Sequence, residues 1–349
     1  MTGATGGGAI GWQDGASSSR ERVLRALREG ERFLLVTHEN PDGDALGSLV
    51  AMRGVLAALG KDAVMVMDPD ELPLPYEYEF LALEDVVTEV PGDLAARTVV
   101  FLDCGNIDRS PLEAVRASGG ALLNLDHHHD NTRFGTVNHV VPEASCTAEI
   151  VWDLMADLGV RPTLEIAEAL YVGLVTDTGR FMYENTGPRA HAMAAELLAT
   201  GVDSQSVYRR LYENQPEAKL RLLARALSGA TRYDDGTLTF SWLRRQDFEE
   251  TGAEESYTEG TIDHLRAVRG TKVAALVRES LDRPGRAKVS LRAADETVDV
   301  SAIARAGGGG GHRQAAGFST ELGREETVAF LREAIAAQLA PAVAPAGSA

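Results

Sequence analysis

No stretch of this sequence approaches the roughly 20 consecutive apolar residues that a bilayer-spanning helix requires, so no membrane association is expected. Cysteine is nearly absent: Cys104 and Cys146 are too few for a disulfide scaffold. The opening MTGATGGGAIGWQDGASSS lacks the basic end and apolar middle of a secretory signal. It reads as a disordered leader over residues 1–19, and the closing APAVAPAGSA as part of a disordered tail over 339–349. The expected location is the cytoplasm. Positive charge is also scarce. The formal net charge is −18, which excludes the broad basic surface that binds long DNA or RNA through counterion release. The deficit is uneven, because Gly260–Thr320 carries ten Lys and Arg against six Asp and Glu, a local balance of +4. A small anion held in the C-terminal half fits that distribution.

The 349 residues exceed one ordinary core, so two domains are expected. Apolar periodicity predicts helices over 20–30, 45–60, 147–159 and 164–179, with a short one in SPLEAVRASGG. FLLVTH, DAVMVMD, TVVFLD and ALLNLD read as strands. Strands alternating with helices predict an α/β fold: an N-terminal parallel sheet with helices on both faces, spanning 20–204. Residues 205–232 read as a charged helical linker broken at Pro216, and LTFSWL, VAALVRES and AKVSLRA as strands of a smaller C-terminal α/β domain over 233–338.

Four apolar segments end in the same kind of residue. FLLV leads into THENPDGDALGS, with His38, Asp42 and Asp44; TVVFL leads to Asp103; ALLNL to Asp126, His127 and His128; and YVGLVT to Asp177. In an open parallel sheet ligands bind beyond the carboxyl ends of the strands, so these segments deliver carboxylates and imidazoles to one place. Such a cluster repels itself or takes up protons unless cations hold it. Two divalent ions match the four charges of Asp42, Asp44, Asp103 and Asp177. Oxygen and imidazole ligands without thiolate favour Mn²⁺ or Mg²⁺ over structural zinc, and a two-metal pair suits in-line displacement at phosphorus. Taken singly, a strand-end Asp is more often a helix cap, and Asp44 is placed to cap the helix starting at Ala45. Asp126 reads as a residue that orients a histidine, and His129 as a bystander.

The glycine run Gly307–Gly311 precedes His312, Arg313 and AAGF. By composition it is a linker. If AAGF starts a helix, its amides form an anion nest. Arg109, Arg133 and Arg180 each follow a motif and are candidates for phosphate contacts. Trp152 and Trp242 fall in helical and strand patterns that suit packing rather than base stacking.

Together these stretches resemble the DHH phosphoesterase superfamily. LDHHHDN carries the name-giving triplet, THENPDGDALGS resembles the first motif, and VFLDCGNIDR the second. LVTDTGRFMYENT resembles the motif of the last ligand Asp, and GGGGHRQAAGF the nucleotide-binding motif of the DHH-associated C-terminal domain. The ordered match spans about 20–335 and is similar to the bifunctional oligoribonuclease and PAP phosphatase (nanoRNase) branch. That resemblance implies hydrolysis of very short RNA to mononucleotides and of 3′-phosphoadenosine 5′-phosphate to AMP, in a cleft closed by the second domain. Cyclic di-AMP, or its linear product, is the alternative substrate. A pyrophosphatase or long-strand exonuclease fits less well, and a nucleotide sensor without catalysis is the rival of another class. The resemblance implies two Mn²⁺ ions, with Mg²⁺ as substitute: one on His38, Asp42 and Asp103, the other on Asp44, Asp103, His127 and Asp177. It implies that His128 touches the scissile phosphate or protonates the leaving oxygen, and that Gly309, Gly310, Gly311, His312 and Arg313 hold the nucleotide with Arg109 and Arg180. A homodimer is the family expectation. Two departures stand out: Ser145–Cys146–Thr147 where the branch usually has two serines before Thr-Ala-Glu, and Met182–Tyr183 after Phe181 where an aromatic-basic pair often follows.

Overall fold

The computed structural model describes residues 18–117, 119–311 and 313–340. Residues 1–17 of the expected leader and 341–349 of the expected tail lie outside the described residues, as does His312. The chain divides into two compact units, Met1–Asn214 and Gln215–Ala349. Among the described residues no helix is long and apolar enough to cross a membrane.

The first unit starts with α1 (Ser19–Glu29), so Ser18 and Ser19 belong to structure rather than leader. Ser18 caps it in a reciprocal box with Glu21, and Val23, Leu24, Ala26 and Leu27 form its buried stripe. The strands β1 (Arg32–Val36), β2 (Asp62–Met65), β3 (Thr98–Leu102), β4 (Leu122–Asp126) and β5 (Val137–Val140) form one sheet in the order β2-β1-β3-β4-β5. Every pairing is parallel. The central strands read as unbroken apolar runs because both faces are buried. Phe33, Leu35, Val100, Leu102, Leu123 and Leu125 enter one core, while Leu34, Val36, Val99 and Phe101 enter the other.

The first of these cores is roofed by α2 (Gly43–Ala58), α4 (Thr147–Asp157) and α5 (Leu164–Asp177). The second is closed by the single turn α3 (Glu113–Arg116), with Val115, and by loop residues such as Val90, Leu94, Ile107 and Phe134. The helical cover is therefore unequal on the two faces. The helices α6 (Pro188–Ala199) and α7 (Ser204–Tyr212) complete the unit, with Met193, Leu197, Val207 and Leu211 in the larger core. Neither β5 nor α6 is foreseen from periodicity. β5 is a four-residue edge strand with one fully buried side chain, Val137, and α6 is rich in alanine and begins at a proline.

The second unit holds α8 (Glu217–Ser228), β6 (Thr231–Tyr233), β7 (Leu238–Leu243), α9 (Arg245–Thr251), α10 (Thr261–Arg266), β8 (Val273–Glu279), β9 (Ala287–Ala293), α11 (Val300–Ala306), β10 (Gly310–Gly311), β11 (Ala315–Thr320) and α12 (Arg324–Leu339). Its six strands form one mixed sheet, β10-β11-β9-β8-β7-β6, in which only β7 and β8 run parallel. The segment 205–232 is thus two helices, one in each unit, separated at Pro216.

One local expectation is corrected here. AAGF does not start a helix. It opens β11, whose Ala316 and Phe318 alternate into the core at strand period. The glycine run follows a helix C-terminus instead of preceding an N-terminus. It turns with Gly308 at φ +81° and pairs antiparallel as β10 with β11. A Cβ on Gly309 would lie 2.1 Å from the Gly317 carbonyl, so only glycine permits the approach.

Candidate metal centre

The strand order places the topological switch between β1 and β3, where connections leave to opposite sides. His38 follows β1, Asp103 follows β3, and His127 and His128 follow β4, so three adjacent strands deliver side chains to one edge. Asp103 has φ +59°, a left-handed backbone that costs a non-glycine residue about 1–2 kcal/mol. Its N–H still donates to Leu125 O at 3.0 Å, so strand pairing holds the turn.

The other three carboxylates sit on helix ends: Asp42 and Asp44 at the start of α2, and Asp177 at the end of the helix expected over 164–179. Asp177 is the last residue of α5. Asp44 lies in the first turn of α2, and the cap of that helix is Asp42, whose Oδ1 accepts from the N–H groups of Asp44 and Ala45. Asp44 instead caps a different helix: its carboxylate accepts from Thr147 N at 2.6 Å and Ala148 N at 2.9 Å, the first residues of α4. Small residues make room for this. A Cβ on Gly173 of α5 would lie 2.7 Å from both Asp44 Oδ1 and Ala148 Cβ.

Three groups of ligand atoms result, each with its atoms within 4.8 Å of one another: His38, Asp42 and Asp103; Asp44, His127 and Asp177; and Asp103, His127 and His128. Asp103 joins them. Its Oδ2 lies 3.6 Å from His38 Nε2 and its Oδ1 3.7 Å from His127 Nε2, while His127 Nε2 is 3.6 Å from Asp177 Oδ2. Both of these imidazoles are held at their Nδ1 edges. His38 Nδ1 lies 2.6 Å from Glu39 O, and His127 Nδ1 3.3 Å from Ala144 O. These contacts hold each ring with its Nε2 edge toward the carboxylates. His128 differs: its Nδ1 sits 2.7 Å from Asp126 Oδ1 and 3.6 Å from Asp103. Asp126 is fully buried, and its other oxygen accepts from Asn131 at 2.5 Å.

Burial and mutual repulsion shape the protonation of this cluster. Burial pushes Asp44 well above the usual carboxylate range, and Asp103 and Asp177 push it further. Asp177 is likewise raised by burial and by Asp103 and Asp42. Burial works against charge on Asp103 too, but the bond to His38 and the charges of His128 and His127 outweigh it and hold this carboxyl below its ordinary range. Burial opposes charge on His128, yet the Asp126 bond and the charge of Asp103 raise it to about 10. Two carboxylates that take up protons beside one that gives them up mark a centre short of positive charge. Divalent cations remove that shortage, so oxygen and imidazole donors here fit a pair of such ions.

The other expected site residues are placed as follows. Arg109 Nη2 is 3.0 Å from His38 Nδ1, at the rim of the cluster. Arg180 is exposed three residues beyond Asp177, with its guanidinium 5.0 Å above the Tyr212 ring. Arg133 is exposed with φ +54°. Gly309, Gly310, Gly311 and Arg313 belong to the second unit, where Arg313 donates to Glu296 O at 2.9 Å. Sequence reasoning passed over Thr147, Asn131 and Asn185. Asn185 donates to Ser145 O and to the Asp177 carbonyl, and closes the loop around the last carboxylate. No charge marks these residues in the sequence; their only signal is adjacency to motif residues.

Comparison with known proteins adds an independent line. The model described as DHH family, N-terminal domain, matches residues 32–174, and the DHHA1 domain model matches 237–340. The chain is 37% identical over 300 residues to the bifunctional oligoribonuclease and PAP phosphatase NrnA of Thermus thermophilus, covering 84% of this chain and 85% of that one. It is 26% identical over 301 residues to the probable bifunctional oligoribonuclease and PAP phosphatase NrnA of Streptococcus mutans, covering 85% and 92%. Among solved structures, an exopolyphosphatase-related protein from Bacteroides fragilis superposes with a TM-score of 0.82 at 24% identity, covering 91% of this chain and 95% of that one.

Proposed function

This chain belongs to the DHH family with a DHHA1 domain, and from that premise we propose that it hydrolyses short oligoribonucleotides to mononucleotides and 3′-phosphoadenosine 5′-phosphate to AMP. The observation that carries the reading is the pair of ligand groups meeting at Asp103, in a chain 37% identical to a bifunctional oligoribonuclease and PAP phosphatase over most of both lengths. His38, Asp42 and Asp103 would hold one divalent ion, and Asp44, His127 and Asp177 the other, with Asp103 Oδ1, 3.7 Å from His127 Nε2, completing the second set. Mn²⁺ is the ion proposed, with Mg²⁺ as substitute. Such ions supply an activated water and neutralise charge on the phosphoryl oxygens.

The chain's own groups do the rest. His128, kept charged by Asp126, gives a proton to the leaving oxygen. Its Nδ1 is paired with the buried Asp126 at 2.7 Å, which orients the ring and favours its charged form. Arg109 and Arg180 neutralise substrate phosphate. Gly309, Gly310, Gly311, His312 and Arg313 hold the nucleotide through close backbone approach at the glycines and positive charge beside them. The net charge of −18 matches a small nucleotide substrate and excludes long nucleic acid as the main ligand. A cytoplasmic homodimer is the proposed setting.

The test is product analysis. Purified protein is incubated with Mn²⁺, with and without chelator, on 3′-phosphoadenosine 5′-phosphate, a diadenylate, a long RNA and cyclic di-AMP. Chelator-sensitive release of AMP from the first two, with the others spared, is the expected result. Preference for cyclic di-AMP reassigns the substrate, and no turnover of any despite bound metal removes the enzymatic reading.

A further inference from the structure

The helix α4 begins inside the metal centre, and its first residue touches two carboxylates at once. Thr147 is fully buried. Its N–H donates to Asp44 Oδ2 at 2.6 Å, and its hydroxyl donates to Asp103 Oδ1 at 2.9 Å. Cys146, at the cap position of α4, supplies no side-chain bond to the helix. The orphan N–H groups of that first turn are met instead by Asp44, about a hundred residues earlier in the chain. The unpaired amides of a helix start carry partial positive charge. Asp44 is thereby fixed on both oxygens by backbone, while Asp103 accepts from the Thr147 hydroxyl on Oδ1 and faces His38 with Oδ2.

The bond to Thr147 has a geometric consequence. A carboxylate rotates about its Cβ–Cγ bond in a broad, soft torsion. With Oδ1 anchored to Thr147, Oδ2 faces His38 and Oδ1 faces His127, so one oxygen of Asp103 serves each ligand group. We propose that Thr147 is the positioning residue of the centre, whose hydroxyl sets the rotation of Asp103 and so lets a single carboxylate bridge two divalent ions. The proposal rests on the two-metal reading above. It assigns the hydroxyl a role that neither the backbone amide nor the methyl of the same residue can supply.

Thr147→Val keeps shape and backbone amide while removing the hydroxyl. Mn²⁺ binding is followed by calorimetry and by electron paramagnetic resonance, in which two ions sharing a ligand give a coupled spectrum distinct from that of isolated ions. Loss of a residue that orients a ligand typically weakens metal affinity by about 10–100-fold. The expected result is that loss, with the coupled signal gone and circular dichroism unchanged, and its recovery in Thr147→Ser. If the valine chain does not fold, Thr147→Ala removes the same hydroxyl without the second methyl and is read identically. Wild-type affinity and a coupled signal in the folded valine or alanine variant overturn the proposal. Failure of a folded serine variant also overturns it, because packing of the methyl is then the cause. Wild-type protein that binds no Mn²⁺ instead overturns the two-metal reading itself, and the role of Thr147 with it.

Discussion

Gly173→Ala adds one uncharged methyl group and removes no ligand, yet it is expected to disable the metal centre. Gly173 lies in α5, facing α2 and α4. The added carbon meets Asp44 Oδ1 and Ala148 Cβ, each at 2.7 Å, and Asp44 Cα at 3.3 Å. Carbon atoms ordinarily rest about 3.5–4.0 Å apart, so roughly 1 Å must be absorbed. Neither neighbour is the free end of a flexible chain. Ala148 belongs to the helix start that donates to Asp44, so the methyl presses on the carboxylate and its donor together. Overpacking of this size costs about 1–3 kcal/mol, offset by about 1 kcal/mol of helix propensity. A displacement of about 1 Å in catalytic geometry costs on the order of 100-fold in rate. The control is Gly54→Ala on α2, whose Cβ has the Ile166 side chain as its nearest neighbour, at 2.6 Å. Both variants are expected to lose stability in thermal melts, but only Gly173→Ala loses diadenylate hydrolysis and its Mn²⁺-induced rise in Tm. Wild-type kcat and Mn²⁺ affinity in Gly173→Ala refute the reasoning.

Three further outcomes are expected. Asp103→Ala abolishes hydrolysis and lowers bound Mn²⁺, because it removes the carboxylate shared between two ligand groups; retained activity with two ions bound sinks the two-metal scheme. His312→Ala raises KM for nucleotide while leaving metal content alone, checked by steady-state kinetics beside metal analysis. His139, in β5 and bonded to Ser19 Oγ at 3.1 Å, is held below its ordinary 6.5 by burial and by the charge of Arg20. Folding keeps the ring neutral, so its stability is intact above about pH 6.5 and is lost as pH falls through the lower folded value. Melts of wild type and His139→Gln between pH 7.5 and 5.5 are expected to show a steeper decline in wild type, and parallel curves remove His139 as a cause.

Sequence alone determined the family, the parallel sheet and the identity of the clustered residues. Buried parallel strands must be apolar runs, and the residues after them must turn at the sheet's edge, so FLLV, TVVFL and ALLNL disclose both core and site. The weakly buried β5 and the alanine-rich α6 carry no such pattern and escape notice. AAGF is ambiguous for a related reason: four small and apolar residues suit a helix start as well as a strand, and pairing with β9 decides for the strand. Tertiary structure alone decided how the carboxylates divide their work. Asp42 and Asp44 are two residues apart in a motif of caps and ligands, and local chemistry allows either to cap α2. Which one does depends on where α4 begins, because its unpaired amides claim Asp44 across about a hundred residues. A hydrogen bond at that separation has no period and no spacing to betray it. It exists because the close packing of α5 at Gly173 brings the two helix starts within reach of one carboxylate.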